Sequence, residues 1–246
     1  MGLGSGHSES LLPKEVLGHP GGVVSWTLAC LHGWVRYHFH DTSRTAGVKQ
    51  RQPLNDSREL RRDGRNLAPF LYRLKLAGDP ALVRIRDAVR SVAPFFDDFI
   101  LEPDPFLGES ILLEWRHRDS DVYGDASMLS DSTLRFLCLA TVLLQPDPPA
   151  VVLIDEPELG LHPYAITQLA ELLEAASQRC QIIVSTQSVT LLDRLRVEDV
   201  VIAERVDGAT KLARLDLSQL SSWLEDYSVG DLWMKNLIGA RPRSTQ

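Results

Sequence analysis

Val151 to Pro163 reads VVLIDEPELGLHP. Four apolar residues run into an adjacent acidic pair, Asp155 and Glu156, and a turn rich in proline and glycine follows. A short, unbroken apolar run closed by turn residues is the pattern of a strand buried in a parallel sheet. Such a strand delivers the carboxylates at its end to the edge of the sheet.

The segments around it keep an alternating rhythm. Val151 to Ile154 reads as a strand, Pro163 to Ser177 as a helix, Gln181 to Ser185 as a second apolar strand, Val189 to Leu195 as a helix and Asp199 to Glu204 as a third strand. Strand and helix alternating at these lengths imply an α/β fold with a mostly parallel sheet flanked by helices. Ligands of such sheets bind at the carboxyl ends of the strands, where Asp155, Glu156 and Gln187 fall.

Hydrolysis of a nucleoside triphosphate needs a metal bridging the phosphates, a group that orients the attacking water, and N–H or cationic groups around the γ-phosphate. Asp155 suits the metal, as a Mg²⁺ carboxylate, and Glu156 the water. Two further pieces stand at useful positions. LSDST, Leu129 to Thr133, opens a helix that is apolar almost all round, so Ser130 and the free N–H groups of Asp131, Ser132 and Thr133 form an anion site or, in the plainer reading, an ordinary helix cap. STQS, Ser185 to Ser188, ends the second strand, where Gln187 can reach a phosphate or serve only as a turn residue.

The rest of the chain divides by composition. Residues 1–22 are rich in Gly, Ser, His and Pro and read as a poorly ordered start. Residues 23–56 read as a short helix, the alternating strand WVRYHFHD and a polar connector from the edge of the unit. Residues 57–100 read as a helical insertion, a lid or arm. In its first helix Leu67, Phe70, Leu71 and Leu74 fall at helical spacing; Asp79 caps the second, Pro80 suits its first turn, and Val83, Ala88 and Val92 mark its apolar side. Residues 101–246 read as the lobe that carries the acidic pair, entered through ESILLEWRHR as one strand.

Composition narrows the function. With 44% hydrophobic and 24% charged residues in 246, the chain reads as an ordinary globular protein. Its longest N-terminal apolar run is too short to cross a bilayer and follows no basic segment, so a cytoplasmic protein without membrane contact is expected. Three widely spaced cysteines, Cys30, Cys138 and Cys180, suit reduced thiols, with Cys138 in the core. Cys30, His32, His38, His40 and Asp41 invite a zinc site, yet they fall on different elements, which speaks against one. A net charge of −7 argues against a generally basic nucleic-acid binder, but eleven Lys and Arg against five Asp and Glu between Lys49 and Arg90 make +6 locally and leave −13 elsewhere. That segment either touches a phosphate backbone or is the solvated face of helices whose arginines bond neighbouring carboxylates.

LSDST, VVLIDE, ELGLHP and STQS, in that order, resemble the signature, Walker B, D-loop and switch segments of ABC-type ATPase heads, and specifically the SMC/RecF-like ATPases; RRDGRNLAPFL and WLEDYSVGDLWMKN resemble that family as well. The resemblance covers most of the chain from about Trp34. It implies a P-loop NTPase fold, ATP and Mg²⁺, and a dimeric clamp in which one head's signature closes on nucleotide held by the other. In that clamp Asp155 serves Mg²⁺, Glu156 the attacking water, Ser130 the γ-phosphate in trans and Gln187 the γ-phosphate in cis. The implied setting is DNA repair or defence.

The chain departs from the family in three places. It contains no GxxxxGK[ST] phosphate loop, so a Walker A-bearing N-terminal lobe is expected from a longer form of the chain or from a separate polypeptide. Ser132 stands where the family has Gly, and Gln187 where many members have His; glutamine donates a hydrogen bond but carries no charge. The competing expectation is a degenerate, non-hydrolysing interaction or nucleic-acid-binding module.

Overall fold

The computed structural model describes residues 22–239 apart from 107 and 207. The expected disordered start therefore lies, but for Gly22, outside the described residues. Helix α1, Val23–His32, leads into strand β1, Trp34–Tyr37, which pairs in parallel with β7, Val151–Asp155; β7 pairs in parallel with β8, Gln181–Ser185. This three-stranded sheet, in the order β1-β7-β8, is the backbone of the α/β fold.

Two residues explain the junction between α2, Leu67–Ala77, and α3, Pro80–Val92. Gly78 closes α2 in the left-handed region at φ 62°, and the Asp79 carboxylate accepts from the Ala81 N–H at 2.8 Å. Leu67, Phe70, Leu71 and Leu74 are all buried, as their spacing predicts. The buried stripe of α3 is Ala81, Ile85 and Val89, with Ala88 and Val92 flanking it; Val83 is 46% exposed. At about 100° per residue Val83 lies on the opposite side from Ala81 and Ile85, which corrects its placement on the apolar side. The buried residues of both helices share one core cluster with the sheet and with α4, Asp131–Leu144, and α5, Pro163–Ser177.

α4 is buried almost all round. Cys138 lies within it, fully enclosed, and burial pushes its thiol up to about 12. α4 runs against the direction of the strands. Arg135 in its second turn reaches carbonyls just past the carboxyl ends of β1 and β7, whereas Gln145 at its far end accepts from Arg179, two residues before β8.

Around this unit lie β2, Gln52–Pro53, paired with β4, Ser110–Ile111, and an antiparallel sheet of β3, Phe96–Ile100, β5, Glu114–His117, and β6, Tyr123–Asp125. ESILLEWRHR is thus two strands rather than one, broken after Ile111, with buried Trp115 stacking on Phe96 at a 5.8 Å centroid distance. Helix α6 is one turn, Val189–Leu192. The expected third strand of the parallel sheet is displaced: Val201–Val206, β9, pairs antiparallel with β10, Ala209–Arg214, in a separate ribbon. After β9 the chain turns back at Gly208, φ 81°, and brings β10 alongside it. Helices α7, Leu217–Leu224, and α8, Val229–Met234, are the last elements among the described residues.

Candidate active site

The parallel register sets Asp155 opposite Ser185, and the Ser185 hydroxyl donates to the Asp155 carboxylate. The next residue leaves the strand: Glu156 holds φ 42°, in the left-handed region, while its N–H donates to the Ser185 carbonyl at 2.9 Å. A non-glycine residue there is strained by about 1 kcal/mol or more, and such strain concentrates at functional sites. From that position Glu156 Oε1 accepts from the Gln187 side-chain amide at 3.4 Å. Glu158 completes the set: its Oε1 accepts from the Thr186 hydroxyl at 2.5 Å and the Gln187 N–H at 3.2 Å, while its Oε2 is buried without a hydrogen-bond partner. Asp155 at the end of β7, with Glu156 and Glu158 of the turn after it, therefore holds Ser185 at the end of β8 and the two residues that follow it.

A cation from α4 fastens the other side. The Arg135 guanidinium donates to the carbonyls of Phe39 at 3.1 Å, His40 at 3.5 Å and Leu159. His40 Nε2 lies 3.2 Å from the Asp155 carbonyl, and its ring stacks on His38 at 4.2 Å and 11°. Desolvation, with His40 and Arg36 nearby, lowers the pKa of His38. Gly160 sits at φ 74°, where a side chain is strained, and a Cβ there would come within 2.8 Å of Arg135 Nη1, so that the guanidinium would have to shift. Phe39, His40, Arg135, Ile154, Asp155, Glu156 and Pro157 line a small depression at this edge.

The four candidate anion-binding residues, Ser130 to Thr133, open α4. Ser130 caps α4, its hydroxyl accepting from the Thr133 N–H at 3.1 Å and contacting the Thr133 hydroxyl at 2.8 Å. Asp131 is exposed and 3.5 Å from the Lys49 ammonium, Ser132 is half-buried and Thr133 buried. Because α4 opposes the strands, Ser130 lies toward the carboxyl edge of the sheet. His162 is structural: its Nδ1 accepts from the Tyr164 N–H ahead of the first turn of α5.

Sequence reasoning missed Glu158, Ser185, Thr186, His40 and Arg135 as partners of the site. Glu158 and Arg135 carried a signal, one as a third carboxylate in the same turn, the other as the lone cation of an otherwise apolar helix. In the basic segment, Lys49, Arg51, Arg61, Arg65, Arg86 and Arg90 all form ion pairs with carboxylates, which spends much of its charge internally.

For a metal, no group of three or more His, Cys, Asp and Glu converges among the described residues. Magnesium asks for less: one or two carboxylates, with phosphate oxygens and water completing the shell. Asp155, exposed at the strand end beside a hydroxyl, fits that donor set.

The family described as “AAA domain, putative AbiEii toxin, Type IV TA system” matches residues 33–193. The chain belongs to this AAA domain family. No curated protein matches it significantly. Among solved structures it is similar to a Smc head bound to the C-winged helix domain of ScpA, at 16% identity and a TM-score of 0.53 over 78% of this chain and 57% of that one. It also matches a Pyrococcus furiosus Smc head with an extended coiled coil, bound to the C-terminal domain of ScpA, at 21% identity and a TM-score of 0.49, over 62% of this chain and 38% of that one. A third match, from work on ATP-driven dimerization of SMC ATPases, has 19% identity and a TM-score of 0.46, over 63% of this chain and 96% of that one. By the match at 0.53 the AAA domain chain has the fold of an SMC head, an ATPase-type α/β fold, and it spans 57% of that Smc head chain. No helix among its described residues is long and apolar enough to cross a membrane.

Proposed function

We propose that this chain is the half of an ATP-hydrolysing, SMC-like head that carries the catalytic carboxylates and the signature, acting by nucleotide-dependent dimerisation with a second head. The observation that carries the reading is the pairing of Asp155, Glu156 and Glu158 with Ser185, Thr186 and Gln187. It holds three carboxylates and an amide donor together at the strand ends, where parallel sheets bind ligands.

Asp155 would hold Mg²⁺, which when bound neutralises charge on the β- and γ-phosphates. Glu156 accepts a hydrogen bond from the attacking water and orients it. Gln187, bonded to Glu156 through its side chain and to Glu158 through its backbone, presents an amide N–H to the γ-phosphate and moves the Glu156 carboxylate as it does so. Ser130 and the N–H groups of Asp131, Ser132 and Thr133 meet the phosphate of the opposing head. The phosphate loop comes from polypeptide outside these 246 residues. DNA repair or defence is the setting we infer from the likeness to SMC/RecF-like ATPases, with the cations of 49–90 that lack carboxylate partners among the described residues available to a phosphate backbone.

The alternative, a non-hydrolysing interaction module, draws support from Ser130, whose hydroxyl is engaged as a helix cap. ATP turnover of this chain mixed with a GxxxxGK[ST]-bearing lobe separates the two. Turnover that Glu156→Gln abolishes, with ATP-bound dimers accumulating, supports the enzyme; no turnover in any combination leaves the interaction module.

A further inference from the structure

The backbone of the acidic pair is held from both sides. β1 and β7 pair in parallel from Trp34 opposite Val151 to Tyr37 opposite Ile154, and the pairing stops there. One more step would set His38 opposite Asp155 and give the Asp155 carbonyl to the Phe39 N–H. The chain leaves β7 at this point, where the His38 N–H donates to the Arg62 carbonyl at 2.8 Å. The Asp155 carbonyl, without its ladder donor, lies 3.2 Å from His40 Nε2. A carbonyl can only accept, so in this hydrogen bond His40 carries its hydrogen on Nε2 and donates. On the far side of the same peptide the Glu156 N–H donates to the Ser185 carbonyl at 2.9 Å. The peptide plane between Asp155 and Glu156 is thus fixed at its oxygen by the segment after β1 and at its nitrogen by β8.

We infer that His40 is a positioning residue for the acidic pair: its imidazole takes the place of the missing ladder bond and sets the plane from which both carboxylates leave. Glu156 depends on it most. Its φ of 42° is a rotation about the bond that starts at the nitrogen of this peptide, in a region that a side chain disfavours. Releasing the plane lets that rotation relax and carries the carboxylate away from the Gln187 amide, now at 3.4 Å. The imidazole is itself held in place. Its ring stacks on that of His38 at 4.2 Å and 11°, and Arg135 donates to the carbonyls of Phe39 at 3.1 Å and His40 at 3.5 Å. Arg135 also donates to the Leu159 carbonyl, so the turn is fastened at its start through His40 and four residues later directly. The bond asks only for an N–H. Glutamine can place a side-chain N–H at a similar reach, and alanine cannot.

The effect on turnover rests on the reading above; the hold on the peptide does not. In the full chain, exchange of the Glu156 N–H with solvent should quicken about tenfold in His40→Ala and stay within about twofold of native in His40→Gln. The native chain gives a check that needs no variant: at about pH 8 its ¹⁵N spectrum should show His40 as the Nε2–H tautomer, and hydrogen on Nδ1 alone overturns the proposal. In the chain joined by a GxxxxGK[ST]-bearing lobe, His40→Ala should lower kcat for ATP about tenfold or more with KM within about twofold of native, and His40→Gln should restore most of kcat. Unchanged exchange at Glu156 in His40→Ala overturns the proposal whether or not the head turns over ATP. A raised KM with native kcat, or a His40→Gln variant as slow as His40→Ala, overturns the positioning role, the first because the imidazole then serves nucleotide binding and the second because it then acts as more than a fixed donor. Quickened exchange in His40→Ala, in a head whose native form shows no turnover, keeps the hold on the peptide and removes the enzymatic reading.

Discussion

The Thr186 hydroxyl donates to Glu158 Oε1 at 2.5 Å, and the same oxygen receives the Gln187 N–H, so one carboxylate of the turn after β7 sets the path of the chain after β8. Glu158→Ala removes both bonds and should destabilise the chain by about 1–2 kcal/mol, less than two charge-assisted bonds alone would give because the orphaned Oε2 disappears as well. Glu158→Gln keeps an acceptor and should retain most of the stability. Chemical denaturation of the three proteins measures the difference.

Glu156 is held in a backbone conformation it does not favour. Glu156→Gly should therefore raise stability by about 1 kcal/mol, and Glu156→Gln leave it unchanged. In an assembled head both should lower ATP turnover by about 10²-fold or more. A variant that gains stability while losing turnover identifies strain kept for function; equal or lower stability for Glu156→Gly would contradict it.

Arg135 ties α4 to three carbonyls from two other segments. Arg135→Met keeps the apolar stem and loses the bonds, with an expected cost of about 2–4 kcal/mol. Gly160→Ala should cost about 1–2 kcal/mol through its positive φ and its approach to the guanidinium. In the Arg135→Met background Gly160→Ala should cost less, since the approach is gone, and a double-mutant cycle reads the coupling.

Cys138 gives a pH dependence with a defined sign. Its thiol titrates at about 12 when folded against 9.0 for the free group, so above pH 9 the unfolded chain releases a proton that the folded chain keeps. Stability should fall as pH rises from 9 toward 12, by up to about 1.4 kcal/mol per unit from this group, and be unaffected by it below 9. Urea titrations at pH 8 and 10, compared with Cys138→Ala, isolate the effect. Iodoacetamide should label exposed Cys30 well before Cys138.

Ser130→Ala should cost about 1 kcal/mol through loss of the helix cap in the free chain. Ser130→Asp keeps a cap but places a negative charge where phosphate would approach. If Ser130→Asp melts like the native chain yet abolishes ATP-dependent dimerisation, the residue meets phosphate; native dimerisation in that variant leaves it a cap only.

Local pattern was enough for the segments whose conformation depends on their own residues. The ends of α5 and β8 agree with the spans read from apolar runs and their punctuation, because Pro163, Ser177 and the QIIVS run decide them within a few residues. The stop at Gly78 and the cap at Asp79 belong to the same class. Tertiary structure decided everything that rests on partners far along the chain. Two-residue periodicity describes β9 whether it joins the parallel sheet or folds onto β10, and only the competition between those pairings settles it; the Asp-Gly pair at 207–208 was the one local sign. Glu158 and Thr186 are 28 residues apart, and Arg135 and Phe39 are 96 apart, so no spacing rule relates them. Sequence by itself determined that an acidic pair ends an apolar strand and that no phosphate loop accompanies it. Which groups hold those carboxylates follows from packing, because side-chain partners are chosen by the fold as a whole and not by their neighbours in the chain.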